Sequence, residues 1–343
     1  MGGPTFPAMA RPEDLLIPTP QGLWCPPGGF HVDPTRPVAK AVITHGHADH
    51  ARPGHGAALA TAATLDMMRL RYGAEAGSLQ PLRYGERLRI GDVTLRLAPA
   101  GHVLGSAQAV VEWNGLTAVV SGDYKRRRDP TCEAFEPVPC DVFITEATFG
   151  LPVFRHPDDA GEIGKLLRAL EVFPERSALV GVYALGKAQR VIRLLREAGW
   201  ERPIWLHGAL QAMCALYERH GVALGDLRPA TEATKEELRG QIVLAPPSAL
   251  GERWSRRLPE PIAAMASGWM RVRARARQRG AELPLVISDH ADWDELNATI
   301  DDLPRAEIWV THGREEALVR AAGLKGRNAR ALALVGYEDE DAE

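Results

Sequence analysis

The chain is poor in cysteine, lacks long apolar runs and carries almost no net charge, and each shortage excludes something. Four cysteines in 343 residues, Cys25, Cys132, Cys140 and Cys214, stand apart without C-x-x-C spacing. That argues against a cysteine zinc site or a disulfide framework and for free thiols in a reducing compartment. The opening Met1 to Ala10 lacks the charged-then-apolar order of a secretory signal. No apolar run reaches the roughly 18 residues of a membrane span, so no membrane role is expected. These shortages lead to the expectation of a soluble, cytoplasmic protein. A formal net charge of −3 makes no global case for nucleic acid, so any such case has to be local. The composition is otherwise that of a globular protein, 25% charged and 45% hydrophobic, at a length that suggests about two domains.

What is there in abundance is histidine at the ends of apolar segments. Thr44-His45-Gly46-His47-Ala48-Asp49-His50 places four metal-capable side chains in six residues, directly after the apolar stretch Val38 to Thr44. Imidazole and carboxylate suit a borderline cation such as Zn²⁺, and Mn²⁺ accepts the same donors. One loop cannot aim four groups at one ion, so the cluster divides, and each ion needs ligands from elsewhere. Val93 to Leu97 alternates as a strand does and leads to Pro99-Ala100-Gly101-His102. Ala107 to Trp113 and Leu116 to Ser121 flank Asn114-Gly115, a hairpin signal, and the second arm ends at Asp123. Asp141 to Thr145 leads to Glu146, Leu285 to Ile287 to His290, and Glu307 to Thr311 to His312. Of 11 histidines, six end an apolar segment or sit in the first cluster. The residues themselves then assign His45, His47, His102 and Asp123 to one divalent ion, and Asp49, His50, Asp123 and His312 to a second. Two cations at such spacing activate a water and hold both oxygens of a displaced phosphate. His290, with Glu146 to orient it, is left to protonate a leaving alkoxide, and Asp49 counts with them among the catalytic groups. Asp33 is either an Asx-turn carboxylate or an acceptor behind the ligands that orients a histidine.

The middle of the chain changes character. From about residue 151, helical and strand patterns alternate: a helix at Asp158 to Val172, a strand at Ser177 to Tyr183, a helix at Ala188 to Ala198, and further pairs beyond. Ala57 to Arg71 also reads as a helix. Gly181-x-x-x-x-Gly186-Lys187 looks like a nucleotide loop, but Ala188 stands where a hydroxyl is required. Lys187 and Arg190, at a helix start, can still receive a phosphate. The run Lys125 to Arg128 and the alternating Arg271, Arg273, Arg275, Arg277 and Arg279 are either solvated faces or tracks for a phosphate backbone. Trp269 either stacks a base or packs. Residues 338–343 read as a solvated acidic tail.

These motifs resemble those of the metallo-β-lactamase superfamily and, within it, the β-CASP nucleases. The H-x-H-x-D-H loop, His102 and Asp123 match the core motifs, with Asp33 as the leading aspartate. Glu146, His290 and His312 match the three β-CASP motifs. The resemblance implies an α/β fold, the αββα sandwich of the metallo-β-lactamases (residues 1–154 and 281–343) with an inserted α/β β-CASP domain at 155–280. Tyr183 to Arg190, Thr145 to Pro157, Ser267 to Arg271 and Ser288 to Trp293 look like the bacterial ligase-associated DNA exonucleases. That likeness implies two divalent ions, DNA as partner, and association with an ATP-dependent DNA ligase and a helicase. The expected activity is metal-dependent DNA exonuclease action in repair, with Lys125, Lys187, Arg190, Trp269, Arg271 and Arg273 holding substrate. His312 departs from the Artemis and Apollo type of DNA nuclease, which lack histidine there. The competing reading is an RNA-processing enzyme with the same site. A small-molecule hydrolase would not need the inserted domain, and a ligand-free scaffold would not keep the full ligand set.

Overall fold

The computed structural model describes residues 11–332 and residue 334. The acidic tail and the first ten residues lie outside the described residues.

Two sheets face each other. The first has six strands in chain order, Ile17–Thr19, Gly22–Cys25, Phe30–Val32, Lys40–Val42, Ala57–Ala60 and Ser78–Pro81. The second has seven, in the order Ala329–Ala331, Glu307–Gly313, Val142–Ala147, Leu116–Val120, Ala107–Trp113, Val93–Pro99 and Leu88–Ile90. Alternation explains how they pack. Val93, Leu95 and Leu97 turn inward between half-buried Thr94 and Arg96 and meet Leu23, Val32, Val42 and Leu59 of the first sheet. Asn114 and Gly115 both have positive φ, +47° and +82°, which is what a two-residue hairpin between twisted strands requires. Helix Ala62–Tyr72 covers the outer face of the first sheet, through Leu65 and Met68 on Ala41, Ile43 and Ala58. Helices Trp293–Asp302 and Glu315–Leu324 cover the second, through Leu296, Ile300 and Leu318 on Val119, Phe143 and Ile308. The layers run helix, sheet, sheet, helix.

A third sheet, parallel throughout, lies between these halves in sequence. Its order is Leu227–Pro229, Ile204–Leu206, Ile242–Ala245, Ala178–Gly181, Ile262–Ala266 and Leu283–Leu285. Helices Asp159–Val172, Lys187–Glu197 and Gly208–Arg219 bury one face of it, and Ala63, Met67 and Leu104 of the sandwich join that same core. The inserted domain is therefore fused to the sandwich by packing as well as by the chain.

Three local expectations need correction. Ala57–Ala60 is a strand, paired on both sides, and the helix starts only after Thr61, whose hydroxyl accepts from Thr64 N. The apolar run before His290 stops being a strand at Leu285, and that strand pairs with Ile262–Ala266, so the third sheet reaches past residue 280. Val286 N turns away to donate to Glu162 Oε2 at 2.9 Å, and His290 rides on a loop. Of the alternating arginines, Arg273, Arg275 and Arg277 wind into a short helix, Arg273–Gln278, which spreads them around its surface instead of along one edge.

Candidate metal centre

The site forms where the sandwich strands end beneath the inserted domain. His45, His47, His50, His102, Asp123, Glu146 and His290 are each at least nine-tenths buried. Ligand atoms of His45, His47, His102 and Asp123 all lie within 4.8 Å of one another. Asp123 Oδ2 is the centre of the arrangement, 3.4 Å from His45 Nε2, 3.5 Å from His50 Nε2 and 3.9 Å from His102 Nε2. His50 Nε2 is also 3.5 Å from Asp49 Oδ2, and its ring centroid is 5.4 Å from that of His312. The structure thus brings the first expected ligand group within one ion's reach, and of the second it sets Asp49, Asp123 and His312 each beside His50.

Backbone conformation aims these groups. Asp33 and His312 both have left-handed φ, +42° and +57°, where a side chain is rarely placed without compensation. At His312 the cause is a register shift: Thr145 pairs with Val310 but Ala147 with Gly313, so Glu146 faces two residues of the neighbouring strand. Such a bulge re-aims side chains. Here it lies at Glu146 and His312, inside the strand Val142–Ala147 and not at its end as the sequence suggested. Asp33 accepts from Thr44 N at 2.8 Å, from Thr44 Oγ1 at 2.6 Å and from His50 Nδ1 at 2.8 Å. It pins the His50 tautomer so that Nε2 faces Asp49 and Asp123.

The electrostatics suit a cation. Burial, reinforced by neighbouring histidines, lowers the pKa values of His45 and His47 well below the usual value, and those of His102 and His312 to about 3. These rings are neutral imidazoles, the ligating form. Burial pushes Asp123 up, helped by Glu146, which marks a carboxylate short of positive charge. Burial opposes the charge on His50, yet Asp123, Asp49 and Asp33 raise its pKa. Two ligand atoms, His45 Nε2 and Asp49 Oδ1, are buried without a hydrogen-bond partner. Buried polar atoms are nearly always satisfied, so the donor set fits divalent ions. His45, His47, His102 and Asp123 would hold one, and Asp49, His50, Asp123 and His312 the other.

Beside this cluster His290 Nδ1 donates to Glu146 Oε2 at 3.0 Å and lies 4.0 Å from Asp123 Oδ2. Glu146 Oε1 accepts from Tyr124 N at 2.8 Å. Burial disfavours the imidazolium, but Glu146, Asp123 and Asp289 outweigh it and hold His290 well above the usual histidine value.

Most residues expected to hold substrate are placed elsewhere. Lys125 is 1% exposed and donates to His290 O at 3.0 Å and Glu295 Oε2 at 3.1 Å. Arg126, Arg127 and Arg128 pair with Asp302, Asp292 and Glu197. Lys187, 1% exposed, pairs with Asp289 Oδ1 at 2.6 Å. Arg190 is fully buried between Asp129 Oδ2, at 2.6 Å, and Asp159 Oδ2, at 2.5 Å. Trp269 packs against Phe149 and Phe154 and carries the Arg275 guanidinium 3.8 Å above its ring. Desolvated charges must be paired, so Lys125, Lys187 and Arg190 answer internal carboxylates and not a phosphate. Arg271 and Arg273 remain exposed. Sequence reasoning gave Asp289 no role, although it adjoins His290 in Ser288-Asp289-His290. Its adjacency was the only available signal.

No family model matches the sequence. The chain is 29% identical to the probable DNA ligase of Opitutus terrae over 319 residues, 91% of this chain and 30% of that protein. It is 30% identical to ribonuclease TTHA0252 of Thermus thermophilus over 202 residues, 51% of this chain and 46% of that protein. The chain thus spans less than half the length of each of these curated relatives. A crystal structure of a protein of unknown function from Enterococcus faecalis V583 shares the fold, with a TM-score of 0.56 at 14% identity over 87% of this chain and 80% of that one. Among the described residues no helix is long and apolar enough to cross a membrane. Layered sandwich, inserted parallel domain, histidine–aspartate cluster and these likenesses all fit the β-CASP group of the metallo-β-lactamase superfamily, which the motifs resemble.

Proposed function

We propose that the chain is a two-metal phosphodiesterase that degrades DNA from an end, in repair or end processing. The observation that carries the reading is the convergence of His45, His47, His102 and Asp123 beside the His290–Glu146 pair. When bound, the ions supply an activated water and offset the charge gathering on the phosphate. Everything else falls to the chain. Asp33 and Thr44 keep the histidine loop in place. Glu146 holds the His290 ring, and His290 carries the proton that the departing sugar oxygen needs. Lys125, donating to His290 O from behind, fixes the loop on which that ring sits. Arg271 and Arg273, exposed beyond the aromatic packing of Trp269, supply the local positive charge that steers a polyanion.

The choice of DNA is supported by the likeness to a probable DNA ligase over 91% of the chain, against 51% for the ribonuclease. The same likeness suggests work alongside an ATP-dependent ligase, and with it a helicase, in the cytoplasm. The ligands favour Zn²⁺ and accept Mn²⁺. The ribonuclease relative makes RNA the second reading. Matched DNA and RNA strands, labelled at either terminus and incubated with Zn²⁺ or Mn²⁺, test both. Stepwise shortening of DNA with slower loss of RNA is expected. Faster RNA decay reverses the substrate, and internal cuts in place of shortening overturn the exonuclease reading.

A further inference from the structure

We propose that Lys187 is a positioning residue for the metal centre, acting across the domain boundary through Asp289 on the ligand His102. The inference rests on the reading of His45, His47, His102 and Asp123 as one ion's ligands, and adds that the inserted domain helps to build that site.

The loop Tyr183 to Lys187 of the inserted domain touches His47 directly and reaches His102 through Asp289. Its Leu185 carbonyl lies 3.4 Å from His47 Nε2, and the other nitrogen, His47 Nδ1, lies 2.9 Å from His102 Nε2. Lys187 Nζ donates to Asp289 Oδ1 at 2.6 Å, both side chains being buried. The carbonyl of the same Asp289 accepts from His102 Nδ1 at 2.9 Å. That bond commits Nδ1 as donor and leaves Nε2 for the ion. Shifting Asp289 therefore turns His102.

The loop has little freedom to be anything else. Gly186 sits at φ +83°, and a Cβ there would lie 2.4 Å from Val103 Cγ1 and 3.3 Å from Asp289 Oδ2. Gln189 Oε1 accepts from Gly186 N at 2.9 Å, clamping the loop to the helix that Lys187 begins. The charge of Lys187 has a second consequence. Ligand atoms of His102, Asp289 and His290 lie within 4.8 Å of one another. Without Lys187, Asp289 is a buried anion whose nearest new partners are a metal ligand and the proton donor. Lys187 keeps that carboxylate out of the centre.

The test reads metal affinity, by chelator competition, in Lys187→Met, Lys187→Arg and the pair Lys187→Met/Asp289→Asn. Unfolding temperatures of the metal-free proteins and kcat and KM on a DNA strand accompany it. Lys187→Met is expected to weaken metal binding about 10–100-fold, the usual effect of losing a group behind a ligand, and to lower kcat with KM little changed. Lys187→Arg and the pair variant are expected to return to within about tenfold of wild type. If Lys187→Met does not fold, Lys187→Gln, which keeps a donor for the carboxylate, carries the same expectation. Wild-type metal affinity with a raised KM would overturn the proposal in favour of a phosphate contact. A pair variant no better than the single one, or lowered metal-free stability with unchanged affinity, would also overturn it. Metal affinity is measured without substrate, so an inactive wild type that binds its ions refutes the nuclease reading alone. A wild type that binds no ion refutes the centre and this assignment with it.

Discussion

His290→Ala separates proton donation from metal binding. The His290 side chain is 11% exposed, donates to Glu146 at 3.0 Å, and stands 4.0 Å from Asp123 without being needed to complete either expected ligand group. A positioned general acid contributes about 10²–10⁴ in rate, or roughly 3–5 kcal/mol of barrier. That whole factor should disappear from kcat on a DNA strand, whose leaving group is an alkoxide. A p-nitrophenyl ester of a nucleotide leaves without a proton, so its turnover should fall by less than about tenfold. The substitution also strands Glu146 as a buried carboxylate. Its Oε1 keeps the Tyr124 amide, so the stability loss should sit near the low end for a broken buried pair, about 3 kcal/mol. Adding Glu146→Gln should recover part of that stability but none of the DNA activity. Elemental analysis should find the normal metal content. Equal losses on both substrates, or a missing ion, would refute the assignment of His290 as acid.

Asp33→Ala removes an acceptor shared by Thr44 N, Thr44 Oγ1 and His50 Nδ1, so metal affinity should drop about 10–100-fold, measured by chelator competition. Burial opposes the charge on Glu295, yet Lys125 and Arg127 draw its pKa down to about 2. A depressed carboxylate stabilises the fold above its unfolded pKa and stops doing so as pH falls toward the folded one. Glu295→Gln should therefore cost about 3 kcal/mol at neutral pH and flatten the loss of stability between about pH 4.5 and 2, read by urea unfolding. Arg271→Glu/Arg273→Glu should raise KM for DNA and reduce the salt slope of binding by about one unit per lost phosphate contact, with metal content unchanged.

The ligands were legible because their signal is local. An apolar strand followed by glycine and histidine states in a few residues both that the side chain is held at a strand end and that the backbone can turn there. His47 and His102 carry that signal, Asp123 carries it with aspartate in place of histidine, and with His45 just before the glycine they are the residues found within one ion's reach. The strand boundaries were less legible where a pattern serves two structures. Ala57–Ala60 and the helix after it are alike rich in small residues, and only the capping bond from Thr64 N to Thr61 separates them. The bulge that aims Glu146 and His312 has no sequence signature, since it arises from the register between strands more than 160 positions apart.

The basic residues show why the remainder of the site could not be read. Lysine and arginine near a phosphodiesterase centre serve either the substrate or the protein, and the sequence presents both uses identically. What decides is desolvation. A cation at a wet surface keeps most of its hydration and can be lent to a passing phosphate at little cost. A cation out of water needs a permanent counter-charge, and once it has one the pair is expensive to break. Lys125, Lys187 and Arg190 are at most 1% exposed, and each has its carboxylate within 3.1 Å. The carboxylates, Glu295, Asp289, Asp129 and Asp159, lie tens of residues or more away in sequence, so no window along the chain shows the pairing. Two of the three cations belong to the inserted domain, and each reaches a carboxylate of the sandwich: Lys187 reaches Asp289, and Arg190 reaches Asp129. Charge that looks like a substrate track is therefore what fastens the inserted domain over the centre, and the search for DNA contacts narrows to Arg271, Arg273 and the exposed surface around them.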